Sequence, residues 1–162
     1  MNCCPTDIAT PDEVETYVTS SAPCHDCKGQ SRPVSRRTVL LMLQPNLLEQ
    51  AMKGTFSFCA APACPVVYFE ERGSQRFTVD DLRINVGVKA RKDPRPLCYC
   101  FGFDESHIRD DISRTGSTCV PQRIAALIRE GLCACDSCNP AGVCCLGEVN
   151  RAAKRIQEEI KT

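Results

Sequence analysis

Cys133-Ala-Cys135-Asp-Ser-Cys138-Asn-Pro-Ala-Gly-Val-Cys144-Cys145-Leu-Gly147, taken with Leu97-Cys98-Tyr99-Cys100, holds seven of the chain's 14 cysteines. Thiolates gathered this closely select zinc, copper(I) or an iron–sulfur cluster, because hard cations prefer oxygen ligands. The residues that follow read as an amphipathic helix, with Val149, Ala153, Ile156 and Ile160 at i, i+4, i+7 and i+11. Cys145 then falls at a helix N-terminus, where unpaired amides and the positive dipole end favour a negatively charged thiolate–metal centre. The segment is expected to be the metal-binding half of a metalloprotein.

Upstream, Cys24-His25-Asp26-Cys27-Lys28-Gly29 has the form of a zinc knuckle. Amides at such a turn donate to the thiolates, and glycine permits the tight backbone. A second pair, Cys59 and Cys64, lies in a Pro-containing turn between two expected strands, Thr55 to Cys59 and Val66 to Glu70. Two cysteine pairs about 30 residues apart fit a four-cysteine structural zinc site. His25, between two ligands, is expected to point outward. Val39 to Leu43 and Leu47, Leu48 and Met52 supply core, with Thr38 and Asn46 as expected N-caps. Val86 to Pro96 reads as a connector whose four cations form a solvated linker. Beyond it, Asp104 caps a helix to about Ser113, carrying a surface His107, and Thr118 caps another to about Glu130. Ile124, Ala125, Leu127 and Ile128 form the apolar stripe of the latter, with Cys119 buried in its first turn. Cys3 and Cys4 read as two thiols in an irregular, Pro-containing segment.

Composition narrows the choice of chemistry. Six Phe, three Tyr and no Trp are a thin supply for a core, and 14 cysteines in 162 residues approach the level of a cysteine-held scaffold. Residues 1–18 show neither a basic n-region nor an apolar h-region, and no run approaches a membrane span, so a cytoplasmic, reduced, metal-bound protein is expected rather than a disulfide framework. Twenty basic and twenty acidic residues cancel, which argues against a nucleic-acid module. No nucleophile–base set or phosphate-cradling loop marks an enzyme.

In their order, CHDCKG (24–29), FSFCAAPACPVVYFEE (56–71), RINVGVKARKDPRPLCYC (83–100) and NPAGVCCLGEV (139–149) resemble the N-terminal domain of archaeal-type CopZ copper chaperones. The cluster half alone is similar to bacterioferritin-associated ferredoxin domains. The resemblance implies zinc on Cys24, Cys27, Cys59 and Cys64 and a [2Fe-2S] cluster on Cys98, Cys100, Cys135 and Cys145. It implies an α+β fold: a flexible segment 1–22, a small zinc-stabilised β-rich subdomain 23–92, and a helical cluster-binding subdomain 93–162. Cys133, Cys138 and Cys144 crowd the cluster loop, either as alternative ligands or, with Cys3 and Cys4, as accessory thiols for copper(I) or mercury(II). The family's heavy-metal-associated domain does not follow within the sequence to Thr162. A separate partner is expected: a protein carrying that module, a metal-transporting ATPase or a redox protein. The expected function is single-electron transfer in thiophilic metal handling, such as reduction of copper(II) to copper(I). The alternative is a heavy-metal thiolate carrier or sensor without redox activity.

Overall fold

The computed structural model describes residues 22–161. Its first half is a four-stranded antiparallel sheet in the order β1 (Ser31–Val34), β2 (Phe56–Cys59), β3 (Val66–Glu70) and β4 (Arg76–Thr78). The two central strands, expected from their apolar and aromatic residues, are buried nearly throughout. Few aromatic rings suffice because this small sheet spends them on both of its faces. Phe56, Phe58, Tyr68 and Phe77 pack with Val39, Met42 and Leu43 into one cluster, while Val66 and Phe69 close around Cys24, Cys59 and Cys64. Register shifts between Val66 and Tyr68 on the β3–β4 ladder.

Between β1 and β2 run α1 (Arg36–Met42) and a 3-10 turn, Pro45–Ala51. Neither expected cap holds. Ser35 caps α1, its hydroxyl accepting from the Thr38 amide at 3.0 Å, and Gln44 precedes the 3-10 turn without a side-chain cap. Thr38 is wholly buried and serves a tertiary contact instead. Met52, counted among the core residues, is 62% exposed.

The second half begins with a two-stranded ribbon, β5 (Pro96–Cys98) and β6 (Phe103–Asp104), and continues through α2 (Glu105–Thr115), α3 (Val120–Arg129), a single turn α4 (Cys135–Cys138) and α5 (Leu146–Lys161). Asp104 caps α2 as expected, with His107 completing a capping box from an exposed position. α3 starts after Cys119, and Thr118 accepts from the Val120 amide at 3.2 Å, one residue ahead of the formal cap. Cys119 lies exposed rather than buried, because the N-terminal residues of this helix point their cap side to solvent while Val120 and Pro121 take the inner face. Gly131 ends the segment at φ 70°, a left-handed conformation that favours glycine. Ile108, Ile112, Val120, Ile124, Val149, Ala152 and Ile156 form the helical core. Ile160, at the end of the expected stripe, is 40% exposed because α5 outruns its partners. Arg155 ties α5 to α2 by pairing with the buried Glu105 and also with Glu159, which Arg109 of α2 reaches at 3.2 Å.

The cysteine-rich loop of the second half is fastened to the first. The Thr38 hydroxyl donates to the Asp136 carbonyl at 2.5 Å, and the buried Tyr68 hydroxyl donates to the Pro140 carbonyl at 2.8 Å. Ala141 packs on the sheet-side cluster. The α+β architecture thus carries one cysteine group on the sheet and docks the loop of the other against the same half. Replacing Tyr68 by Phe keeps the ring and orphans the Pro140 carbonyl. Chemical denaturation of Tyr68→Phe is expected to show a loss of about 1–3 kcal/mol; an unchanged midpoint would mean the bond contributes nothing to docking the loop.

Candidate metal centres

Each zinc-side thiol is placed by backbone rather than by side-chain neighbours. The knuckle closes through Lys28 N–H to the Cys24 carbonyl at 2.9 Å and Cys24 N–H to the Gly29 carbonyl at 3.1 Å, with Lys28 at φ 59°. A side chain on Gly29 would come within 3.1 Å of Cys27 Sγ. Cys59 is the last residue of β2 and Cys64 precedes β3 by two residues, so the hairpin connection delivers both. The four sulfurs lie within 4.8 Å of one another. Tetrahedral zinc with Zn–S bonds of about 2.3 Å requires sulfurs about 3.8 Å apart; Cys27 and Cys59 stand at 3.7 Å. Four soft donors and no oxygen among them fit zinc or another thiophilic ion held in a closed site. His25 stays outside the set, its exposed ring tilted against Phe69 at 4.8 Å between centroids.

The four thiols are unequal. The Gly29 amide, 3.3 Å from the sulfur, brings exposed Cys27 down to about 7, whereas burial pushes Cys59 up to about 12 and raises Cys64. One cation stands behind them that sequence reading placed elsewhere. Lys89, expected in a solvated linker, is 6% exposed, and its Nζ donates to the Ala61 carbonyl at 2.8 Å and the Cys64 carbonyl at 3.1 Å. Within a run of four basic residues, nothing local separates it from its neighbours; only tertiary packing does.

The second group draws on four separate elements. Cys98 ends β5, Cys100 lies in the following turn, Cys135 opens α4 and Cys145 directly precedes α5. The Cys100 and Cys135 sulfurs stand 3.7 Å apart, and Cys145 acts most strongly on both Cys98 and Cys135. The Ala134 amide donates to Cys100 Sγ at 3.3 Å, the Phe101 and Cys100 amides serve Cys98, and the Cys145 amide serves Cys135. Hydrogen bonding from Cys145 brings Cys98 to about 7 and Cys135 to about 5, while Cys145, the donor, is driven far up and burial takes Cys100 to about 12. Among the described residues, only the zinc-side set gathers three or more ligand atoms within 4.8 Å of one another. The second string is spread wider, which suits a centre larger than one ion.

The remaining thiols of the loop are half-buried. Cys133 hydrogen-bonds with Cys135, and Cys138 stands near enough to Cys100 to influence its charge. Cys144 and Cys145 open onto a cleft of about 540 Å³ between the two halves, bordered by Arg32, Phe58, Tyr99 and Pro140. Cys3 and Cys4 lie outside the described residues.

Over residues 21–83 the sequence matches a family model described as a zinc binding domain of the CopZ type. Over 144 residues the chain is 30% identical to the copper chaperone CopZ of Archaeoglobus fulgidus, covering 83% of this chain and 68% of that protein. The chain belongs to the CopZ family. The crystal structure of the Archaeoglobus fulgidus CopZ N-terminal domain superposes with a TM-score of 0.64 at 30% identity, spanning 79% of this chain and 95% of that one. Family membership and geometry therefore agree on a zinc-binding, sheet-based first half with a helical region after it.

The inequality of the zinc-side thiols has a measurable outcome in metal-free protein. A thiol near 7 is about half thiolate at neutral pH and one near 12 is almost wholly protonated, and alkylation follows the thiolate. Time-resolved mass spectrometry with iodoacetamide is expected to find Cys27 modified well before Cys59, with zinc protecting both. Equal rates would refute this ordering.

Proposed function

We propose that this chain is a metallochaperone-type protein that carries zinc on Cys24, Cys27, Cys59 and Cys64 and a [2Fe-2S] cluster on Cys98, Cys100, Cys135 and Cys145, and that it handles copper by single-electron transfer. Residues 23–92 serve as the zinc-binding unit and 93–162 as the cluster-binding unit. The observation that carries the reading is the string of four linked thiols with backbone amides aimed at their sulfurs. Iron–sulfur clusters take four cysteine thiolates, and hydrogen bonds to sulfur together with burial tune their potential. A [2Fe-2S] centre supplies a reversible one-electron couple, whereas d¹⁰ zinc in a closed four-cysteine site supplies none.

The chain's own residues then have distinct tasks. Ala134, Phe101 and Cys145 amides stabilise charge on sulfur. Leu97, Ile108 and Val149 keep water from the buried thiols. Copper is substrate here. The cleft gives an approach to Cys144 beside Cys145, and Cys133, Cys138 and Cys144 offer soft ligands for copper(I). The relative's name, a copper chaperone, supports metal handling rather than enzyme catalysis. Delivery to a separate metal-binding or metal-transporting protein follows from the same reading.

A thiolate carrier without electron transfer is the second reading, favoured by the three half-buried thiols that neither four-cysteine set uses. One preparation separates the two. Anaerobically purified protein is expected to contain about two irons, two sulfides and one zinc per chain. Serine at Cys98, Cys100, Cys135 or Cys145 should remove iron and leave zinc. Zinc alone in colourless wild-type protein sinks the redox reading and leaves the carrier. Once reduced, the loaded chain should convert about one copper(II) to chelator-trapped copper(I), as a one-electron couple requires; no copper(I) above an iron-free control would refute that role.

A further inference from the structure

Lys89 and Tyr99 are not among the expected ligands, yet each lies against one of the two thiol groups. They are joined by a three-residue 3-10 turn, Gly87–Lys89, closed by Lys89 N–H to the Val86 carbonyl at 2.9 Å and Ala90 N–H to the Gly87 carbonyl at 3.2 Å. At its far end, Lys89 Nζ holds the Ala61 and Cys64 carbonyls of the Cys59–Cys64 turn. At its near end, the Gly87 amide donates to Tyr99 Oη at 2.7 Å. The same glycine is pressed against the strand that leads into Cys98: a Cβ there would stand 2.0 Å from the Pro96 carbonyl oxygen. Tyr99 is the one residue between Cys98 and Cys100.

We propose that Lys89 and Tyr99 are positioning residues that couple the two metal centres, so that zinc occupancy fixes the placement of Cys98 and Cys100. The inference rests on the two-centre reading of the proposed function. Zinc with four thiolates bears a net charge of about −2, counting one charge per thiolate against the dication. A buried ammonium is costly unless it is paired and hydrogen-bonded. Lys89 meets these conditions beside the zinc loop, where its Nζ is held by the Ala61 and Cys64 carbonyls and sits 5.9 Å from the Phe58 ring centre. With zinc present the loop carbonyls are held and Lys89 is anchored. The Gly87–Lys89 turn then seats Tyr99 and Pro96, and through them the thiols on either side of Tyr99. Without zinc the loop and its charge are released together, and the turn loses its anchor. The coupling needs no separate signal, since the lever is three residues long and both ends are buried or half-buried.

The test uses the full chain as purified, with Lys89→Met, Tyr99→Phe and the double variant. Three readouts are taken: zinc release to a chromogenic chelator, visible circular dichroism of the iron-bound protein, and amide exchange over Leu97–Phe101 with α3 as internal control. Lys89→Met should release zinc roughly tenfold faster or more, the usual cost of losing an outer partner of a metal site. It should also shift the dichroism and raise exchange at Leu97–Phe101 severalfold while α3 stays protected. Tyr99→Phe, which keeps the ring, should raise that exchange with zinc release within about twofold of wild type. In the double variant the two effects on exchange should fall short of additive, as expected of residues in one network. Faster zinc release in Lys89→Met with unchanged exchange and dichroism at the Cys98 segment would overturn the coupling, as would full additivity. The exchange readout needs no iron, so a chain found to lack the cluster would refute the proposed function while leaving this test intact.

Discussion

Four sulfurs within 4.8 Å of one another cannot all carry charge unless a cation sits among them. That constraint governs the first half of this protein. Without metal, the thiols divide into an exposed one that ionises readily and buried ones that do not. With metal, the charge is shared and the knuckle, the end of β2 and the approach to β3 are tied at one point. The sheet spends its scarce rings on two faces and keeps only Val66, Phe69 and three of the cysteines for the metal side. Such a core is too small to be held by apolar burial alone, and a structural metal offsets the deficit.

The second half solves a different problem. Its thiols come from a ribbon, a single helical turn and a helix start, so no local turn holds them together. They are held by three helices packed behind them and by two hydroxyls, Thr38 of α1 and Tyr68 of β3, reaching across from the first half. Backbone amides face the sulfurs alongside the neighbouring thiols, so part of the electrostatic environment is a property of the main-chain path. The cleft beside Cys144 and Cys145 leaves one flank of this group open to small solutes.

Much of this was legible in the sequence because the informative signals are local. The knuckle glycine, the two apolar strands, the Asp104 cap and the periodicity of α5 each depend on a few neighbouring residues, and each appears where it was read. What was misread, was misread for the same reason. Thr38 looks like a helix cap because caps are local, but its hydroxyl is committed to a residue 98 positions away. Lys89 looks like one cation in a basic run, and its burial comes from the zinc loop 25 residues upstream. Cys119 has the type of a buried residue and the position of an exposed helix start. Family resemblance supplied the pairing of cysteines that spacing alone leaves ambiguous in a loop with five of them.

The long reach of the Thr38 and Tyr68 bonds bears on how the molecule is made. Their partners, Asp136 and Pro140, emerge from the ribosome after the whole zinc-side half. Between Cys64 and Cys145 lie 145 − 64 = 81 positions, or about 4–16 s of synthesis at roughly 5–20 residues per second. The first set of thiols is therefore complete, and open to metal, while the second does not yet exist. Vectorial synthesis thus completes one set of thiols well before the other, and the later loop docks on a surface already made.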